Sequence, residues 1–163
     1  MNLENRPCTR PQTEWGLDPL FWVPAKLFNG DLTRLVSAEP LSSTVFYIGN
    51  QHVIKAVELV GIVVSVERRA LKMIYYQIDD GTGVISCVHF TTPTEQAEPD
   101  TLECYRIGDS VCVRGRLAVY RGQLEVIIRE CEIVDPNQES LAWIERLSIR
   151  KFLASSPFAT STQ

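Results

Sequence analysis

Three sets of side chains in this chain have the types and spacing that chemistry needs. The first interleaves cations with rings and amides: Arg68, Arg69 and Lys72, then Tyr75 and Gln77, then Phe90, then Arg116, Tyr120 and Arg121. Unpaired bases stack on aromatic rings, at about 1–3 kcal/mol each, while guanidinium and ammonium groups follow phosphate, so this mixture meets the needs of single-stranded nucleic acid. Arginines on strands also make an ordinary solvated face, and Tyr75 and Phe90 have a plainer use as packing beneath the N-terminal arm or the connection. Tyr120-Arg121 is the more specific signal, because a ring at a short turn has little core to fill. The second set is the pair Asp79-Asp80, which a metal-dependent nuclease could use. Standing directly before Gly81, the two carboxylates are better read as accepting from backbone N–H groups in a turn. The third set is five cysteines and two histidines. No C-x-x-C pair is present and His52 and His89 stand far apart, whereas a structural zinc site needs four converging ligands. Reduced thiols, with no metal and no cofactor, are expected.

Charge limits what such a face can do. A net charge of -4 argues against coating nucleic acid by bulk electrostatics, but a local patch is open. Glu95, Glu98, Asp100 and Glu103 fall in one predicted loop, while Arg114 and Arg129 join the cations above on or beside predicted strands. That segregation is what a binding face requires. A chain of 163 residues fits one domain with extensions and can bury about 68–70% of its surface without staples. The composition, 45% hydrophobic and 22% charged, is that of a soluble globular protein, and no apolar run approaches the ~18 residues that span a bilayer. No membrane is expected as a partner. Glu4, Pro7 and Pro11 stand where a secretory signal would have its apolar core, which predicts an intracellular protein.

The elements that must hold these residues centre on 54–91. Three runs rich in Val, Ile and Tyr are separated by the turns ERRALK and DDGTG, the pattern of two successive hairpins. In the first run Ala56, Val60, Ile62, Val64 and Val66 are read as one face and Val57, Leu59, Val63 and Ser65 as the other, with a bend at Gly61. In the second, Met73 to Asp79, Ile74, Tyr76 and Ile78 point inward. In the third, Val84 to Phe90, Ile85, Cys87 and His89 do so. After a polar connection, a fourth strand from Val111 to Val119 is read with Val111, Val113, Leu117 and Val119 inward and a bend at Gly115. The YRGQ turn then leads to a fifth strand, Leu124 to Val134. Upstream, a disordered 1–14 precedes an arm in which Asp18 caps a helix, Pro19 opens it and Pro24 divides it, serving as core packing or lid, with a partner dock as the alternative. Val45 to Ile48 is a short strand that the Gly49-Asn50 turn folds back on the long run beginning at Ile54. Downstream of Asp135-Pro136, Leu141, Ile144, Leu147 or Ser148, and Phe152 share one helical stripe with Trp143 at its edge, and 154–163 reads as a flexible tail. The domain therefore runs over 15–153. Five strands, a long third connection, two glycine-marked bends and a closing helix fit a mainly β OB-fold, a five-stranded Greek-key barrel. Such barrels bind on the face of strands two and three and the flanking loops.

The arm WGLDPLFWVPAKLF, followed in order by FYIGN, IKAVELVGIVVSVERR and YYQIDDGTGVISC, resembles the OB domain of the Stn subunit of the CST telomere complex, from about Trp15 to Phe152. It is similar more broadly to the middle subunit of replication protein A, against which the WGLDP arm speaks. The resemblance implies a non-catalytic nuclear subunit that binds single-stranded telomeric DNA within a heterotrimer. It implies a small Ten-type OB subunit and a large Ctc/Cdc13-type subunit as partners, and support of C-strand fill-in by DNA polymerase alpha-primase at chromosome ends. In both families an aromatic ending strand three and an aromatic or basic group in the strand four to five loop touch DNA. Those positions match Phe90, and Tyr120 with Arg121. The strand-three residue is often Trp, so Phe90 is expected to stack less strongly. The partner-facing helix matches Leu141 to Phe152, with Trp143, Ile144, Leu147 and Phe152 as the candidate contacts. Many members continue into C-terminal winged-helix domains, whose functions are not carried over. Three other readings stay open beside this one: a replication-protein subunit, a scaffold whose barrel mainly holds proteins, and the nuclease using Asp79 and Asp80.

Overall fold

The computed structural model describes residues 10–38, 44–49, 52–69, 72–91 and 105–154. The acidic loop residues Glu95, Glu98, Asp100 and Glu103, the first nine residues and the tail from 155 lie outside the described residues.

Two short 3-10 helices, Gln12–Leu17 and Pro19–Phe21, come first among the described elements. Asp18 caps the second as expected, accepting from the Leu20 N–H at 3.0 Å. The helix predicted beyond it does not continue. Pro24 blocks it, and Ala25–Lys26 form an extended β1 that pairs in parallel with Val57 and Glu58. The arm also starts before Trp15: Gln12–Leu17 is one helical element, and buried Arg10 reaches the Asp18 carboxylate at 3.5 Å. A four-residue α1 (Asn29–Leu32) follows, then a three-stranded sheet of β2 (Val36–Ser37), β3 (Phe46–Ile48) and β4 (His52–Ile54). The Gly49 turn thus folds β3 back on β4 rather than on the long strand.

The barrel is made of β5 (Ala56–Arg69), β6 (Met73–Asp79), β7 (Val84–Phe90), β8 (Ser110–Tyr120) and β9 (Gln123–Ile133). Its order is β5-β6-β7-β9-β8, and a β5–β8 ladder closes it. That closed order is the OB-fold, and it leaves no open edge between these strands. The interior is aliphatic: Val57, Leu59, Ile74, Ile78, Val113 and Leu117 are all buried. Ile85 and Cys87 point into it from β7, as expected. Val119 keeps the inward parity of β8 but, near the strand's end, is exposed.

One expectation fails along β5. The bulge lies at Val64, between Val63 and Ser65, and not at Gly61. It inserts one residue, so every position after it changes face. Val66 joins the core, and Ser65 turns outward. Gly61 serves a different need: a Cβ there would stand 2.5 Å from the Asp79 carbonyl oxygen. On β8 the irregularity does fall at the predicted glycine, between Arg114 and Gly115.

The chain's last described element, α2 (Pro136–Leu153), starts on a full capping box. Asp135 accepts from the Asn137 and Gln138 N–H groups, and the Gln138 side chain accepts from the Asp135 N–H at 2.9 Å.

Candidate nucleic-acid interface and the outer face of the last helix

The strand pairings build the interface in rows. Partners opposite each other in a ladder point to the same side of the sheet. Past the bulge, Ser65, Gln77 and Ser86 form one outward row across β5, β6 and β7, continued by Glu125 on β9. Glu67, Tyr75 and Val88 form the next, continued by Ile127 and then Arg116 on β8. Arg69, Met73 and Phe90 form the third. Four sequence-predicted residues, Arg69, Tyr75, Gln77 and Phe90, therefore share one face in neighbouring rows, with Arg116 farther round the barrel. Arg68 does not join them: it pairs with core-facing Ile74 and so has the inward parity, at the exposed end of β5. Lys72 is exposed in the turn before β6, where its carbonyl accepts from the Thr91 N–H.

A groove of about 510 Å³ runs over these rows, walled by α1 on one side and the start of β9 on the other. Within it the Arg69 guanidinium stacks 4.5 Å from the Tyr75 ring centroid. It also forks onto Glu67, with Nε and Nη2 each donating to a carboxylate oxygen at 2.8 Å. That bond holds the Glu67 carboxyl below its ordinary range and raises Arg69 above its own. Glu125 moves the other way, pushed up by burial against some opposition from Arg69. Phe90, in the row of Arg69 and Met73, is 53% exposed, so the described residues leave its ring available. At the β8–β9 hairpin, Arg121 (φ 51°) and Gly122 (φ 76°) both take the left-handed backbone that a two-residue turn needs. The Arg121 guanidinium thereby sits 5.2 Å from the Tyr120 ring, and Tyr120 is half exposed.

The acidic pair is spent on the turn. Asp79 accepts from the Gly81 N–H at 2.7 Å. Asp80 accepts from the Thr82 N–H and hydroxyl, and its other oxygen takes the Asn29 N–H at 2.7 Å. The carboxylates thus fasten α1 to the β6–β7 turn. Among the described cysteines, Cys87, Cys112 and Cys131 are free thiols; burial pushes Cys87 upward and Cys112 up to about 11.

The last helix settles which of its faces meets the barrel. Ala142, Arg146, Ile149 and Leu153 turn inward at helical spacing, with Ala142 against Val60, Cys112 and Val134, and Leu153 in the main core. Sequence reasoning missed Arg146, the largest fully buried side chain among the described residues, because an arginine on a helix reads as solvated. Its Nε donates to the Leu27 carbonyl at 2.9 Å, Nη1 to Ala142 and Nη2 to Glu58 at 3.0 Å. Burial lowers its pKa, with Glu58 opposing. The predicted stripe is left outward: Leu141, Ile144 and Leu147 are at least half exposed. Trp143 and Phe152 are partly covered, by Phe28 (ring centroids 4.8 Å) and His52 (4.8 Å). Asp18 was legible as a cap but not as a hub: fully buried, it also accepts from Val53 N–H at 3.0 Å and faces His52 Nδ1 at 3.1 Å.

Residues 57–134, the barrel just described, match the model of the OB-fold nucleic acid binding domain family. Among solved structures, the S. pombe Stn1-ten1 complex contains a chain similar at a TM-score of 0.69 and 22% identity, covering 80% of this chain and 93% of that one. A replication protein A heterotrimer bound to ssDNA contains another, at 0.68 and 16%, covering 82% and 99%. At such identities these likenesses carry the fold. Sequence relatives carry more. The CST complex subunit STN1 of Ailuropoda melanoleuca is 32% identical over 92% of this chain, and the chain spans about half of that relative, 47%. The CST complex subunit STN1 of Arabidopsis thaliana is 30% identical over 77% of this chain and 88% of its own length. At 30% identity over most of both chains, the chain belongs to the CST complex subunit STN1 family.

Proposed function

We propose that this chain is a non-catalytic subunit of a CST-type telomere-capping complex, acting in the nucleus at chromosome ends and binding single-stranded telomeric DNA over the outer face of β6 and β7. The observation that carries the reading is the alignment of Arg69, Tyr75 and Phe90 on one open face, in a member of this family. Tyr75, Phe90 and Tyr120 stack bases, Lys72, Arg116 and Arg121 follow phosphate, and Arg69, forked onto Glu67, backs the Tyr75 ring. A small Ten-type OB subunit covers Trp143, Ile144, Leu147 and Phe152. A large Ctc/Cdc13-type subunit completes the trimer, and DNA polymerase alpha-primase fills in the complementary strand beside it. A net charge of -4 makes the chain alone a weak binder. The test is the Phe90→Ala, Tyr120→Ala, Arg121→Ala triple variant in the assembled complex. A loss of about tenfold or more in affinity for telomeric single strands is expected, since each lost stack costs about 1–3 kcal/mol. Unchanged affinity sinks the site.

A second reading, a scaffold that holds proteins while other subunits hold DNA, is favoured by the apolar residues exposed on α2, Leu141 and Ile144 at 62% each. It wins if DNA crosslinks only to other subunits while Ile144→Glu dissolves the complex. Purification of the tagged chain from nuclei separates both from general replication: recovery of replication protein A subunits in place of Ten-type and large telomeric subunits moves the function there.

A further inference from the structure

The groove over β6 and β7 is poorly suited to phosphate. Its lining holds one guanidinium, Arg69, against two carboxylates, Glu67 and Glu125. Arg69 is already forked onto Glu67 by two bonds of 2.8 Å. Glu125 is different: no described residue donates a hydrogen bond to its carboxylate, although it stands in line with Ser86 and Gln77 in the polar row next to Tyr75. The rest of the polar lining is neutral, Ser65, Ser86, Gln77 and Gln123 among it. Asn29 in the wall behind is buried and gives its amide hydrogens to the Ile78 and Gly83 carbonyls at 2.9 Å. A carboxylate with no donor of its own beside a stacking ring asks for a neutral ligand that brings one.

We propose that this groove is a base-edge subsite in which Glu125 accepts a hydrogen bond from the exocyclic amino group of an unpaired base stacked near Tyr75, so that thymine is rejected. The inference rests on the proposed DNA face and adds what that face selects. Carboxylates pair with the amino group of cytosine and its like, while thymine and uracil offer a carbonyl oxygen at that position, which would meet a second acceptor. The phosphates then run along the flanks, by Lys72 and Arg121, and not over Glu125.

Thymine and 5-methylcytosine oligonucleotides of equal length provide a clean comparison, since the methyl group is shared and the difference lies in the carbonyl or amino group at position 4 and the neighbouring ring nitrogen. Titrated above pH 7 against the full chain in its complex, the 5-methylcytosine strand is expected to bind about tenfold tighter than the thymine strand. Glu125→Gln, which keeps the shape but offers both a donor and an acceptor, is expected to bring the ratio close to one by improving the thymine strand. Equal affinities in the wild type, or a preference that survives Glu125→Gln, overturn the inference. Tyr75→Ala separates this from the broader reading. If it weakens both strands while the wild-type ratio is flat, base-edge selection alone falls; if it weakens neither, the groove is not the DNA site and both readings fall.

Discussion

Replacing Arg146 by methionine tests whether the last helix is held by an ion pair or by backbone carbonyls. The guanidinium is 2% exposed and bonded to the carbonyls of Leu27, Ala142 and Glu58, while the Glu58 carboxylate is 3.9 Å from Nη2. Removing one partner of a buried pair costs about 3–5 kcal/mol when the other charge is stranded. Glu58 would not be stranded. Arg114 stays on it at 2.8 Å and Lys26 at 3.8 Å. Its carbonyl likewise keeps the Leu27 N–H at 3.3 Å. What is orphaned is the Leu27 carbonyl, at about 1–3 kcal/mol, together with two charge-assisted bonds whose carbonyls have other donors. Methionine fills the stem, so a loss of about 3 kcal/mol is expected for Arg146→Met and about 5 for Arg146→Ala, which adds a cavity.

Urea unfolding followed by tryptophan fluorescence is the assay, since Trp143 lies on the same helix against Phe28. The slope m should stay at its wild-type value if only the folded state is affected. A double-mutant cycle with Glu58→Gln should give a coupling below about 1 kcal/mol, because the carbonyls and not the carboxylate take the short bonds. An Arg146→Met variant within 1 kcal/mol of wild type, or more stable, refutes the reasoning: the cost of burying the guanidinium would then exceed the value of its three carbonyls.

Other expectations follow from single contacts. Ile144→Glu, on the outward face of α2, should change the stability of the isolated chain by less than about 0.5 kcal/mol, while size-exclusion of the assembled complex should show it falling apart. Gly61→Ala should cost about 2 kcal/mol or more in thermal unfolding, because the new methyl would press on the Asp79 backbone and the Ile78 side chain and the two strands must part to admit it. Alkali should destabilise the fold: Cys112 goes from 9.0 to about 11 on folding, so its contribution is intact below pH 9 and is lost as pH rises toward 11, about 2–3 kcal/mol in all. Cys112→Ala should flatten that part of a urea-midpoint profile against pH, and an unchanged profile would assign the alkaline loss to other groups.

The barrel was legible because its signals are local. Met73–Asp79 and Val84–Phe90 begin and end where alternation and the DDGTG turn place them, and the Arg121-Gly122 turn sits where YRGQ puts it. What escaped depends on partners distant in sequence. Ala25–Lys26 is extended only because Val57 and Glu58 are there to pair with it, so the apolar spacing of the arm read as helix. The bulge at Val64 carries no mark of its own, since a valine in a strand predicts continued pairing; one unmarked residue moved Ser65, Glu67 and Arg69 onto the binding face and Arg68 off it. On α2 the apolar stripe Leu141, Ile144 and Leu147 did not by itself say which face meets the barrel and which a partner; the structure leaves it outward. The side that is buried carries Arg146, legible in principle from the Ala142, Arg146, Ile149 and Leu153 spacing but only to a reader who allows an arginine to cap another segment's carbonyls.

The same bulge divides β5 between two tasks. Before it, Glu58 and Val60 face α2 and its arginine; after it, Ser65, Glu67 and Arg69 face the groove. The two sides are joined by one short segment, Leu27 to Asp31. Leu27 receives Arg146, Phe28 packs against Trp143 and under the Arg150 guanidinium at 4.6 Å, and Asp31 takes Arg150 Nη2 at 2.9 Å. In the middle of that segment Asn29 lines the groove and is tied to the β6–β7 turn. A shift of α2 along its axis is therefore expected to reach the groove wall through this segment, since each of its residues is bonded to one side or the other. Leu141 and Ile144 share none of these bonds. Substitutions there should strip a partner from α2 without altering the groove, whereas Arg150→Ala, which removes the cation from both Phe28 and Asp31, should disturb both faces at once.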